Sequence, residues 1–412
     1  MIKVKYFWIA QMLAVAITAG SAFTFTGCNG TNNAGDRLVL ALRSGIYAEV
    51  IKECLPDFEK EYGIECKVME FSEDDLYNSI YSDSANYSGA YDLCMVDGSW
   101  MAGFMAENVL TSLSGMGYQF DDDIIPATTS VCYSDDQIFL VPYYGNVTVL
   151  LYNQNRLKEI GYSSSDINCL EDVVNISLSA QDAGMDGFLY RGDTENNIVV
   201  DFLPVLCAYG GWVIDSSGTP SVDTDEFHLA MEQYLKLIKT GRACIKEEVI
   251  SSVEEGSALF AVGWPGWCTP ADDVATYYCP IPGKISETSE SYNCNVYGIW
   301  TMGIPANSNN KGLAYNLLSY LMDPEVQKST IDNGGVPCRY SCLKDENIVS
   351  KAPYLSVICD ALENGIYRPV IKEWTDFYTI LGAVMRDIID GRYNVDDGLK
   401  IAQSNLETLM GK

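Results

Sequence analysis

An α/β fold of two lobes joined by crossing segments is predicted by three features of this sequence. Strand and helix patterns alternate after residue 37, and 412 residues exceed what one hydrophobic core usually fills. The stretch from Phe139 to Tyr152, FLVPYYGNVTVLLY, holds two apolar runs broken by a polar, aromatic joint. Pro142 cannot donate to a sheet ladder and Gly145 tolerates backbone angles that other residues avoid, so the chain should change partners here. The joint reads either as a crossover between lobes, with Tyr143 and Tyr144 lining the cleft, or as an ordinary buried strand with a bulge.

Taken in order, Leu38 to Leu42 is a short apolar run ending at Ser44-Gly45, and Tyr47 to Tyr62 is helical, with Ile51, Leu55 and Phe58 on one face. Cys66 to Phe71 is a second strand, Leu76 to Tyr81 begins a helix, and Tyr91 to Val96 is a third strand ending at Asp97-Gly98-Ser99-Trp100. This alternation argues for a parallel sheet covered by helices, in which ligands sit beyond the carboxyl ends of strands. Ser44, Phe71, Asp97 and Trp100 fall at such ends. After the joint, Asn153 to Ile160 is a helix closed by Gly161, and the strand Gly187 to Tyr190 gives way to the polar loop Arg191-Gly192-Asp193. Phe227, Ala230, Met231, Tyr234, Leu235 and Ile238 make an amphipathic helix. Ala258 to Gly263 leads into Trp264-Pro265-Gly266-Trp267, two indoles flanking a turn. Tyr297 to Pro305 is a buried strand and a candidate return crossover. Helices follow at Leu313 to Leu321, after Asp323-Pro324, at Phe377 to Ile388 and at Val395 to Leu409.

Fifty-six acidic residues face 26 basic ones, for a formal charge of -30, so nucleic acid and anionic lipid are poor partners for the fold. Lys3 and Lys5 precede an apolar stretch from Tyr6 to Phe25, which reads as an export signal, with a membrane anchor as the alternative by length. Its end, Phe25-Thr26-Gly27-Cys28, resembles a bacterial lipoprotein signal, in which the cysteine is acylated and becomes the new N-terminus; Phe25 departs from the commoner Leu. Asn29 to Gly35 looks like a flexible tether. Removing Cys28 leaves thirteen of the fourteen cysteines, so at least one thiol is unpaired within the chain. Cys338 and Cys342 could pair or simply pack. There is no CxxC and His228 is the only histidine, which gives a zinc site little support and calls for no cofactor.

In this order the pieces resemble an extracellular solute-binding protein of bacterial ABC importers, family 1, which includes many sugar-binding lipoproteins. The residues carrying the resemblance are YDLCMVDGSW (Tyr91 to Trp100), VPYYGNVTVLLYN (Val141 to Asn153), VGWPGW (Val262 to Trp267), GIPANS (Gly303 to Ser308) with the later LMDPEVQ, and GGVPCR (Gly334 to Arg339). The resemblance implies a periplasmic-binding-protein-like fold without catalysis. A monomer would close on a carbohydrate and present it to membrane permease subunits, tethered outside the cell by lipid on Cys28. It implies a signal peptide at 1–27, a tether at 28–36, a first lobe of 37–142 with 298–325, and a second lobe of 146–296 with 326–412. Carried over by position, it points to Asp97 and Trp100, to Tyr143, Tyr144 and Asn146 at the joint, to Trp264, Trp267, Gly335 and Arg339, and to Trp374 or Tyr378. Family members often carry Gln-Gly-x-x-Tyr-Glu-Gly where this chain has Arg191-Gly192-Asp193-Thr194-Glu195-Asn196, so the ligand gripped there differs from the common ones.

A sugar offers apolar C–H faces and a rim of hydroxyls, which call for flat aromatics beside Asp, Asn or Arg. Micromolar binding requires roughly 8 kcal/mol while a neutral hydrogen bond nets about 1, so both lobes should contact the ligand. Bland roles compete with each assignment: Trp100 and Trp300 as core, Asp97 as a helix cap, Arg339 as a local counter-charge and Arg191 as a loop charge in a solvated turn. Two other functions fit the composition, a surface-anchored glycan hydrolase drawing two carboxylates from the acidic surplus, and a receptor for a cationic solute such as a polyamine. No G-x-S-x-G, H-E-x-x-H or P-loop is present.

Overall fold

The computed structural model describes residues 37–271, 274–283 and 294–412. The expected signal peptide (1–27), tether (28–36) and Cys28 lie outside the described residues. Among the described residues no helix is long and apolar enough to cross a membrane.

The chain begins with Arg37–Arg43 (β1), Ile46–Tyr62 (α1), Glu65–Phe71 (β2), Glu73–Asn86 (α2) and Leu93–Asp97 (β3), with β1 parallel to both β2 and β3. Leu38, Leu40, Ala41 and Leu42 are all buried, as expected of a parallel strand covered on both faces. Val50, Ile51, Cys54, Leu55 and Phe58 give α1 its buried stripe, and Gly63 ends it in the left-handed region at φ 67°. Ser72 caps α2 by accepting from the Asp75 amide, with Glu73, Asp74 and Asp75 at the positive end of the helix dipole.

Leu140–Tyr144 (β4) belongs to this first sheet, whereas Val149–Asn153 (β5) belongs to a second one. The second lobe continues with Leu170–Asp182 (α3), Asp186–Arg191 (β6), Glu195–Ala208 (α4), Asp225–Ile238 (α5), Ala243–Cys244 (β7), Lys246–Glu255 (α6), Ala258–Gly263 (β8) and Thr276–Cys279 (β9). The chain then returns as Trp300–Gly303 (β10), Lys311–Leu321 (α7) and Tyr354–Asn364 (α8), before Trp374–Ile389 (α9) and Val395–Met410 (α10). The sheet orders are β2-β1-β3-β10-β4 and β9-β5-β8-β6-β7, each mixed because β10 in the first and β5 in the second run antiparallel to their neighbours.

Both readings of the joint hold in part. Trp300 pairs with Tyr144 and Thr301 with Pro142, which makes Tyr143 a bulged residue, and the chain then crosses to the other sheet. Three segments make the crossing. The outgoing one is fastened to the returning one by Gly298 N to Asn146 O (2.9 Å), Thr148 N to Val296 O (2.9 Å) and Asn295 Nδ2 to Thr148 O (3.1 Å). A third follows α8, where Ile366 and Tyr367 pair in parallel with Val296 and Tyr297.

The expected assignment of residues 326–412 to the second lobe does not match the packing. Ile331, Cys338, Leu343, Leu355, Ile358 and Leu362 belong to the core of the first lobe, and the second core resumes at Trp374. The cause is local: the Ile125 amide donates to Cys338 O and the Tyr340 amide to Asp123 O, which holds this stretch on the first sheet until α8 has buried its apolar face there. The thirteen cysteines of the described residues are free thiols, and Cys338 and Cys342 are buried in the first core without pairing. His228 sits at the surface between Asp223 (2.7 Å) and Asp396 (3.0 Å).

Candidate functional site

Residues at or just after the carboxyl ends of β1, β3, β6 and β8, namely Arg43, Asp97, Arg191 and Trp264, line one hollow between the lobes. It consists of a larger compartment of about 390 Å3 and a smaller one of about 100 Å3, which share Glu73, Asn196 and Arg368 as walls. First-turn residues of four helices face it: Glu73 of α2, Asn196 and Asn197 of α4, Lys246 of α6, and Trp374 and Thr375 of α9. The larger volume lies within the ordinary range of small-ligand sites.

Aromatic rings from both lobes wall the larger compartment. Tyr77 meets Trp100 edge to face at 5.3 Å in the first lobe, and Trp374 meets Tyr378 at 5.8 Å in the second. Trp374 and Tyr378 are held by α9, and Tyr77 on α2 is packed against Trp100 on the turn after β3, so the rings are positioned before any ligand arrives. Trp374 is 4 % exposed and its indole Nε1 has no hydrogen-bond partner among the described residues.

The smaller compartment is polar. Asp97 takes two roles at once: its Oδ1 accepts from the Ser99 amide (2.9 Å) and hydroxyl (2.7 Å), capping the turn that carries Trp100, and its Oδ2 pairs with Arg368. Arg368 comes from the third crossing segment and is 6 % exposed, and its Nε has no hydrogen-bond partner among the described residues. Arg191 is held by the buried Asp201, which accepts from its Nε (3.0 Å), its Nη2 and its backbone amide (2.9 Å), while Nη1 donates to Asn197 (2.7 Å). The guanidinium carbon lies 5.1 Å from the centre of the Trp267 ring, and the Lys246 ammonium lies 5.9 Å from it. Burial, and secondarily Arg43, lower the Lys246 pKa. Burial, and then the Asp97 charge, raise that of Glu73 against the pull of Arg368 and Arg43. Tyr47 is pushed up to about 12 by burial.

Of the residues predicted from sequence, Trp100, Trp374 and Tyr378 line the larger compartment, and Asp97, Asn146, Arg191, Trp264 and Trp267 the smaller. The other seven line neither. Tyr143, the bulged residue, is buried in the first core near Cys54 and Tyr320. Tyr144 donates to Gly334 O (2.8 Å) and backs the edge of Tyr47 at 4.9 Å. Phe71 packs edge to face on Tyr91. Ser44 and Asp193 stand one step behind the wall, Ser44 accepting from Arg43 Nη1 (2.7 Å) and Asp193 from Asn197 Nδ2 (2.9 Å). Gly335 lies against Thr330, where an added Cβ would come 2.0 Å from Oγ1. Arg339 is 2 % exposed and fastens Asp121 (2.8 Å), Gln327 (3.0 Å) and Met322 O (2.7 Å), a buttress of the first lobe.

Sequence reasoning missed Arg43, Tyr47, Glu73, Tyr77, Lys246 and Arg368. Trp300, placed in the core, is indeed a buried member of the first core, and its ring also lines the smaller compartment and meets Trp100 edge to face at 5.7 Å. The position of Arg43 and Lys246 at a strand end and a helix start was the available signal; no pattern marked Arg368.

Two sheet-bearing lobes, three crossing segments and a ring-walled hollow between them define a binding protein of the clamp type. The chain belongs to the bacterial extracellular solute-binding protein family, whose model matches residues 41–328. Among curated proteins it is similar to the probable amino-acid ABC transporter periplasmic-binding protein y4oP of Sinorhizobium fredii, at 21 % identity over 354 residues, 82 % of this chain and 81 % of that one. Among solved structures it is similar to an ABC transporter solute-binding protein of Agrobacterium radiobacter in complex with ribitol (TM-score 0.79, 21 % identity, 91 % of this chain and 99 % of that one). Maltose-bound MalE3 of T. maritima is similar to the same degree (TM-score 0.78, 22 % identity, 90 % and 99 %).

Proposed function

We propose that this chain is a receptor that binds a carbohydrate between its lobes and delivers it to the permease of an ABC transporter, without catalysing its conversion. The observation that carries this reading is the larger compartment, where Trp100 and Tyr77 of one lobe and Trp374 and Tyr378 of the other wall a single space beside Asn78, Ser99 and Asn196. Flat rings suit C–H faces and the polar groups suit hydroxyls, and neither lobe supplies both walls alone. The ligands named for similar structures, ribitol and maltose, are of this class. A ligand that touches both walls stabilises the state in which they approach, which is how binding drives closure.

In this reading the chain is exported as a monomer and held at the outer face of the cytoplasmic membrane by lipid on Cys28. A polyamine is disfavoured by Arg43, Arg191, Lys246 and Arg368 in the smaller compartment. A glycan hydrolase is disfavoured because, among the described residues, the carboxylates lining the hollow are Glu73, Asp74 and Asp97, all from the first lobe, and Asp97 is taken up by Ser99 and Arg368. A melting-temperature screen against mono- and oligosaccharides tests the reading: a ligand bound only by the folded state raises the midpoint, and Trp374→Ala should abolish the rise. Failure of every sugar to shift it, or steady release of product from an oligosaccharide, sinks the proposal.

A further inference from the structure

The larger compartment has the rings for a sugar face, but the smaller one is furnished for something else. In a chain of formal charge -30, four cations, Arg43, Arg191, Lys246 and Arg368, line a space of about 100 Å3. At this size the space holds a few waters or one functional group, not a second ring. Two of the cations are answered locally, Arg368 by Asp97 and Arg191 by Asp201. Arg43 and Lys246 are not. Among the described residues neither lies within ion-pair distance of a carboxylate, and Arg43 spends its Nη1 on Ser44 and the Phe71 carbonyl. They come from opposite lobes, Arg43 from the end of β1 and Lys246 from the start of α6, close enough that Arg43 depresses the Lys246 pKa.

Two like charges held in one small cavity repel, and the desolvation of Lys246 adds to the cost. An anion placed between them would relieve both effects. One buried donor at the same place points the same way: among the described residues Arg368 Nε is unpartnered although the residue is 6 % exposed, while the unpartnered Asn146 and Asn196 oxygens beside it suit hydroxyl donors of the same ligand. The carboxylate that could offset the cations, Glu73, is held towards its neutral form by burial and by Asp97.

We propose, on the footing of the carbohydrate reading above, that the ligand is a sugar acid whose ring lies in the larger compartment and whose carboxylate lies in the smaller one among Arg43, Lys246 and Arg368. A planar carboxylate suits the small space of about 100 Å3; a phosphate dianion is the rival occupant, since Arg43 and Lys246 leave two charges unanswered, and the test separates the two. The preference arises from charge-assisted hydrogen bonds, which are short and strong where water is excluded. It is distinct from the stacking that holds the ring.

Calorimetry on the full chain with matched ligands tests this: glucuronate and galacturonate, their neutral parents glucose and galactose, glucose 6-phosphate, and a neutral amino acid. The expected result is that one uronate binds at least about tenfold more tightly than its parent, with the preference shrinking as salt rises and falling below about twofold in Lys246→Met and in Arg43→Gln. The wild-type ratio alone is decisive should a variant fail to fold. Equal or tighter binding of the neutral parent overturns the sugar-acid proposal and leaves the carbohydrate receptor standing. Tighter binding of the phosphate overturns the carboxylate assignment. Binding of the amino acid with no response to any sugar refutes the carbohydrate reading and this proposal together.

Discussion

Replacing Asp201 by Asn isolates what the buried ion pair behind the ligand cavity contributes. Asp201 is 1 % exposed and Arg191 7 %, and the carboxylate accepts from the Arg191 backbone amide, Nε and Nη2. The amide keeps the shape but removes the charge, leaving a buried guanidinium whose remaining partners are Asn197 and the face of Trp267. Breaking one side of a buried pair typically costs about 3–5 kcal/mol, because the surviving charge has lost its compensation. The exposed Arg242–Asp186 pair, 3.2 Å apart with side chains 47 % and 33 % exposed, provides the contrast: Asp186→Asn should cost less than about 1 kcal/mol. Guanidinium unfolding followed by tryptophan fluorescence reads both, from midpoint shifts at a constant slope. The double variant Arg191→Met with Asp201→Leu should cost less than Asp201→Asn alone, since it strands no charge. An Asp201→Asn loss near that of Asp186→Asn, or a double variant worse than the single, refutes the reasoning.

Three further outcomes follow from the same structure. The folded pKa of Glu73 lies above its unfolded value of 4.5, so its contribution to stability is intact below pH 4.5 and is lost as pH rises through the folded pKa; Glu73→Gln should therefore match the wild type at pH 4 and be the more stable at pH 7, as thermal melts at the two pH values would reveal. A methyl group at Gly145 would come 2.8 Å from Leu362 Cδ1 and 3.2 Å from Val336, so Gly145→Ala should cost about 1–3 kcal/mol in the same unfolding assay. Burial pushes the Cys54 thiol up to about 11 and the Cys268 thiol up to about 12, so a thiol reagent at pH 8 should label the folded protein slowly; after unfolding without reductant all thirteen cysteines of the described residues should react, and a shortfall by an even number would reveal disulfides.

Much of the fold was legible because its elements are regular. The stripe of α1, the alternation that leads to β3 and the amphipathic run of α5 each state their own burial in the spacing of apolar residues. The break at Pro142 to Gly145 was legible too, because proline and glycine interrupt a ladder wherever they stand. The lobe boundary was not, since the apolar face of α8 says that it is buried but not against which core. Within the site, the strand-end position named Asp97 and Trp100, which line the hollow, but also Ser44 and Phe71, which do not, because the end of a strand fixes the neighbourhood and not which side chain faces the hollow; Trp264 was found from the indole turn. Arg339 shows the opposite case. An arginine after a glycine-rich turn suits a ligand as well as a buttress, and its partner Asp121 lies 218 residues away in sequence. Arg368 was missed for the same reason: Tyr367 to Glu373 has no periodicity, and only the pairing of Tyr367 with Tyr297 brings it under the cavity.

The three strands between the lobes also settle where an occupant would exert its leverage. Any swing of one half against the other must bend these three segments, and one residue of each, Asn146, Gly298 and Arg368, borders the smaller compartment. A guest there would press on the axle itself, with no relay of side chains between its arrival and the turning of the jaws. Tightening or loosening that axle by substitution should alter grip and gape together, so the two properties cannot be tuned apart at these positions.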